Sequence, residues 1–155
     1  MLALFISCED SATSENQDQT VEQQEKEAVF PDSLTYITKD YKRIFPECEG
    51  EDCTSYTLEY IELTDKEYSF INDSIKVGLI GNGVSMDDAA DNFFDKYEED
   101  AMDTEWNMPW SENLTAGVDF NKKGLFTVSY GYYGYYGGAH GMPDFSSVNY
   151  DLAIK

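Results

Sequence analysis

The residues best suited to recognition stand together near the C-terminus, in the run Tyr130-Gly-Tyr-Tyr-Gly-Tyr-Tyr-Gly-Gly-Ala-His-Gly141, and His140 is the only histidine of the chain. As a general base it would need a nucleophile and a third group to orient its ring. Ser129, Ser146 and Asp144 are conceivable partners, but their spacing defines no triad, so catalysis is not expected. Binding is a better match to these residue types, because a tyrosine offers large contact area at small entropic cost and a hydroxyl at its tip. Tyr132, Tyr133, Tyr135, Tyr136, His140 and Trp110 form the expected ligand-contacting set. The competing expectation is a tyrosine-rich sheet core ended by a glycine turn. Trp110 likewise either caps the core or joins the binding face.

Cysteine usage bears on the compartment. Cys48 and Cys53 bracket four polar residues that include Gly50, a spacing that lets them close a small loop. Zinc would need four ligands, and one histidine with two cysteines is a poor set, so a disulfide is expected and no metal or other cofactor. A disulfide fits export to an oxidising environment. Cys8 follows the apolar stretch from Met1 to Ser7 and precedes a polar tract, like the end of a bacterial lipoprotein signal peptide whose cysteine is lipidated. The basic start of such a leader is missing, so a truncated beginning is expected. Residues 9–30 are almost wholly polar and cannot repay their ordering entropy; they are expected to tether an anchor to a folded domain over residues 31–155.

The chain has 155 residues, enough for one domain with a core, and 31 acidic against 10 basic residues give a formal charge of −21. That charge repels a phosphate backbone and excludes nucleic acid as a natural partner, while it steers a cationic protein inward. Asp87, Asp88, Asp91, Asp95, Glu98, Glu99 and Asp103 line one face of a helical pattern without the twelve-residue loop of a calcium site, so a solvated face is expected.

These side chains need elements to position them. Residues 34–45 and 53–63 read as strands, with Tyr56, Leu58 and Tyr60 on one face of the second and Thr57, Glu59 and Ile61 on the other. Tyr68, Ile71, Ile75 and Leu79 share a helical face that Gly81 and Gly83 end. Ser85 and Asp88 resemble a capping box ahead of a longer helix over residues 86–105. Strands over 114–120 and 125–136 flank the turn Asn121-Lys-Lys-Gly124, and a last strand covers 146–153. Alternation along the fourth strand puts Tyr130, Tyr132 and Tyr136 on one face and Tyr133 and Tyr135 on the other. The fold expected is α+β, an antiparallel sheet packed on one long and one shorter helix.

The order of pieces also resembles a known family. Cys48-x4-Cys53 before a tyrosine-rich strand, Ile-Asn-Asp-Ser-Ile at 71–75, a long acidic helix, and Tyr-Gly-Gly-Ala-His-Gly at 136–141 followed by Asn149-Tyr-Asp-Leu152 are similar to the domain at the N-terminus of certain polysaccharide deacetylases. The same domain occurs in the extracytoplasmic part of lysozyme-sensing anti-sigma factors of the RsiV kind. The resemblance covers residues from about 34 to the end. It implies a domain of the bacterial cell envelope that binds rather than reacts, taking a glycan or a cationic protein such as lysozyme. It also implies a continuation into a second, C-terminal module, for which this chain would serve as a structural or interaction partner. Hydrolysis of a cell-wall glycan is the weaker expectation.

Overall fold

The computed structural model describes residues 32–46, 48, 52–101 and 108–153. The expected leader with Cys8, the tether over 9–30, the C-terminal end of the second helix pattern and Trp106 lie outside them. Five strands form one sheet in the order β1 (Tyr36–Ile44), β2 (Ser55–Leu63), β3 (Ser111–Lys122), β4 (Leu125–Tyr135) and β5 (Met142–Asp151). Every neighbouring pair is antiparallel except β2 and β3, which run parallel. A parallel pair needs a long crossover, and α1 (Ser69–Ile80) and α2 (Met86–Asp100) lie within that connection. The architecture is the α+β arrangement the sequence implies.

Local chemistry explains the boundaries. The Ser85 hydroxyl accepts from the Asp88 N–H at 3.0 Å while Asp88 Oδ2 accepts from the Ser85 N–H, closing a capping box that starts α2. Ala90, Phe93, Phe94 and Tyr97 then fall on the buried face of that helix. Between β3 and β4 the chain turns at Lys123 (φ 54°) and Gly124 (φ 77°), a two-residue hairpin turn in the left-handed region where glycine is favoured. The Cys48–Cys53 disulfide closes the loop between β1 and β2, with the two Cα atoms 5.8 Å apart.

Two strands differ from the sequence expectation. β3 begins at Ser111 rather than 114, because its first residues pair with both β2 and β4. β5 begins at Met142 rather than 146, so Met142, Pro143, Asp144 and Phe145 belong to the sheet instead of a loop. Pro143 lacks a backbone donor and reads as a breaker, but β5 is an edge strand, where a missing donor on the open side costs nothing.

One side of the sheet carries the core. Tyr56, Leu58, Leu114, Ala116, Phe126 and Val128 are buried beneath the helices, with Ile71, Ile75 and Leu79 of α1 also buried. The Asn72 side chain ties α1 to β2, its amide donating to Leu63 O and its Oδ1 accepting from Leu63 N. Rings from α2 meet the sheet: Phe93 lies 5.8 Å from Tyr56, and Phe45 lies 5.7 Å from Phe94. The other side carries the alternate residues of each strand, and no helix among the described residues packs on it.

Candidate ligand-binding face of the sheet

The tyrosine run is divided by the pleat of β4. Tyr130 and Tyr132 face the helices, while Tyr133 and Tyr135 point to the uncovered side. Tyr136 follows the strand and returns to the helix side. Its hydroxyl donates to Glu112 Oε2 at 3.0 Å and hydrogen-bonds the Tyr132 hydroxyl, and its ring meets Trp110 edge-on at 5.0 Å. Trp110 is buried, packed also against Phe93 and Tyr97, and its backbone N–H donates to Thr54 Oγ1 at 2.9 Å. Trp110, Tyr132 and Tyr136 therefore brace the sheet from within. Burial pushes the Glu112 carboxyl above its ordinary range, against the opposing effects of the Tyr136 hydroxyl and the Lys96 charge. Burial also raises the Tyr136 phenol, helped by the Tyr132 hydroxyl and the nearby Glu112.

On the uncovered side, adjacent strands align two rows. Lys42, Thr57, Asn113, Tyr133 and Pro143 stand in register, and Asp40, Glu59, Thr115, Gly131 and Phe145 form the next row. Tyr133 is 44 % exposed and Phe145 is 79 % exposed. Beside these rings lies a shallow trough of about 300 Å³ lined by Asp40, Lys42, Thr57, Glu59, Asn113 and Thr115. Thr57 Oγ1 donates to Asn113 Oδ1 at 2.6 Å, which fixes the amide and leaves its NH₂ for a ligand. Gly141 lies so close to the Tyr133 ring that a methyl group there would overlap it, which pins the ring against the loop after β4.

His140 stands apart from both rows. It is exposed, with Nδ1 3.1 Å from Gly141 O, beside a groove of about 280 Å³ that Tyr136 and Met142 also line. Ser129 Oγ donates to Gly117 O, and Asp144 Oδ1 accepts from Phe145 N, so neither engages the histidine. Of the expected contact residues, Tyr133 and Tyr135 share the uncovered face, Tyr136 and His140 share the loop groove, and Tyr132 and Trp110 lie toward the core. Asp40, Lys42, Asn113, Thr115 and Phe145 were not foreseen as a surface. Thr57 and Glu59 were visible as the outward face of β2, but nothing local to the sequence named the strands on either side.

Residues 47–143, more than half of the chain, match the family model described as Deacetylase PdaC. The chain belongs to this PdaC family. The matched span runs from the disulfide loop to the start of β5 and contains Tyr133, most of the polar trough and His140. Two solved structures share the fold of this PdaC domain. One is a DUF3298 family protein from Pseudomonas aeruginosa PAO1, with TM-score 0.62 and 24 % identity over 79 % of this chain and 53 % of that one. The other is a DUF3298 family member from Bacteroides fragilis NCTC 9343, with TM-score 0.62 and 16 % identity over 79 % of this chain and 57 % of its own. This chain thus spans little more than half the length of these structures. No curated protein sequence matches it.

Proposed function

We propose that this PdaC-family domain is a non-catalytic module of the bacterial cell envelope that binds a glycan on the uncovered face of its sheet. The observation that carries this proposal is the juxtaposition of two exposed rings, Tyr133 and Phe145, with a trough of amide, hydroxyl and carboxylate groups. Sugars present apolar faces for ring contact and hydroxyls for hydrogen bonds at their edges, and a rigid β platform supplies both at low entropic cost. The family's name refers to a deacetylase, and we assign binding rather than deacetylation to this domain. Metal-assisted deacetylation in relatives of the resembling kind uses several histidines, whereas this sequence has one. Export, with lipid attached at Cys8, belongs to the same proposal and is supported by the Cys48–Cys53 bond.

The test is titration of the full chain with peptidoglycan fragments and N-acetylglucosamine oligomers, followed by calorimetry and by acetate release. Saturable binding without acetate release is expected, weakened at least about tenfold by Tyr133→Ala or Phe145→Ala if the rings stack as aromatic anchors do. Binding that survives both substitutions would overturn the assignment of the face, and released acetate would overturn the assignment of binding alone. The charge of −21 supports a second ligand class, a cationic protein such as lysozyme. Such a complex would weaken steeply with salt, as a neutral glycan complex would not.

A further inference from the structure

On the helix side of the sheet, away from Tyr133 and Phe145, the last turn of α1 and the first half of α2 part over β2 and β3. The cleft between them measures about 320 Å³. Leu79, Ile80 and Val84 give it aliphatic walls, Tyr56 and Phe93 add aromatic surface, and Glu112 contributes a carboxylate from the sheet beneath. A carboxylate among such walls is costly unless something answers its charge. Its Oε2 accepts from the Tyr136 hydroxyl, and among the described residues no donor reaches Oε1, which is open to solvent in the cleft. The one ion pair among those residues is Arg43–Asp91, so Glu112 is not in a salt bridge; Lys96 acts on it only through its field.

A second observation points the same way. The last turn of α1 lines this cleft and contains no basic residue, Lys76 standing one position before it, and of its terminal carbonyls Val77 O accepts from Gly81 N. The chain as a whole carries −21. An aliphatic and aromatic cleft with a half-paired carboxylate and the negative end of a helix at one side suits a cation on an apolar stem.

We propose that this cleft binds a primary alkylammonium group, either the side chain of a lysine or a small free amine, with the ammonium on Glu112 and the stem along Leu79 and Ile80. The ammonium supplies donors to the carboxylate oxygen that has none, and the stem covers apolar surface that water now wets. This site is separate from the glycan platform, which lies on the opposite face of the sheet.

The experiment is an amide-resolved NMR titration of the full chain with n-butylammonium chloride, with n-butanol as a neutral control of similar length and Nα-acetyl-lysine methylamide as the side-chain probe. Saturable shifts at Leu79, Ile80, Asn92 and Glu112 are expected with n-butylammonium and not with n-butanol. Glu112→Gln keeps an oxygen to accept from Tyr136 and should weaken binding by about ten- to a hundredfold, as loss of a charged hydrogen bond does. Equal shifts from the lysine probe identify a protein side chain as the source, and shifts from n-butylammonium alone identify a free amine; either supports the site. Equal effects of n-butanol, undiminished binding by Glu112→Gln, or no saturation by either amine would overturn it. The first and third of these need only the unaltered protein, so they stand even if the variant folds poorly. Glycan binding measured on the same samples separates failure of this site from failure of the platform.

Discussion

Glu112 shows most directly how one residue ties stability to recognition. Its carboxyl is raised above the ordinary 4.5 chiefly by burial, which the Tyr136 hydroxyl and the Lys96 charge only partly offset. A carboxyl whose folded pKa lies above its unfolded one favours folding below the unfolded value, and that contribution is lost as pH rises through the folded value. At neutral pH the ionised group therefore costs stability relative to a neutral side chain of the same shape. Glu112→Gln is expected to raise the melting temperature at pH 7, with the gain shrinking as pH falls from the raised folded value toward about 4.5 and levelling off below it, where the unfolded carboxyl also holds its proton. Melting curves of both proteins between acid and neutral pH test this. A gain that stays constant with pH would mean that burial does not shift the group. The positions around Gly141 belong to this scale as well: Gly141→Ala drives a methyl into the Tyr133 ring. The overlapped atoms are the far end of an exposed ring that can swing aside, so a cost of about 1 kcal/mol or less is expected, together with weaker glycan binding because the ring must move. Denaturant unfolding and the titration described for Tyr133→Ala would measure the two effects.

Among the elements, those specified by local pattern were legible in the sequence, and those specified by distant partners were not. The spacing of Ala90, Phe93, Phe94 and Tyr97 announced α2, and Ser85 with Asp88 announced where it starts. Ser85→Ala should cost about 1 kcal/mol by removing an acceptor from the first turn, measurable by chemical unfolding. The disulfide was legible too, because two cysteines around a polar glycine loop have few alternatives. Opening it in Cys48→Ser/Cys53→Ser should cost about 2 kcal/mol, since the loop it closes is short. Alternation along β4 gave the division of its tyrosines between two faces. It did not show that β2 and β3 would lie side by side in parallel, because that pairing depends on how both helices fold back over the sheet. The polar trough draws on β1, β2 and β3, so its residues acquire a common address only once that crossover is made. β5 starts at Met142 rather than at 146 and takes in Pro143, whose tolerance depends on standing at an edge, a property of the sheet and not of the segment.

At the scale of the molecule, charge is the dominant feature. With 31 acidic and 10 basic residues, attraction between side chains is scarce, and Arg43–Asp91 is the one salt bridge among the described residues. Self-repulsion should then outweigh local ion pairing in the response to salt. Added salt shortens the Debye length to about 10 Å at 0.1 M, which screens repulsion between exposed carboxylates more than it weakens a single short pair. The melting temperature is therefore expected to rise between low and moderate sodium chloride at pH 7, and to respond much less at acid pH where most carboxylates are protonated. A fall with salt at pH 7 would show that favourable ion pairs control stability after all. The same screening acts oppositely on a complex with a cationic protein, whose association rate should drop over that range. A salt series that stabilises the free domain, slows a lysozyme complex and leaves a neutral glycan complex unchanged would separate self-repulsion from steering and from contact on the uncovered face. If the glycan complex fell with salt in parallel with the protein complex, its binding would rest on charge rather than on Tyr133 and Phe145.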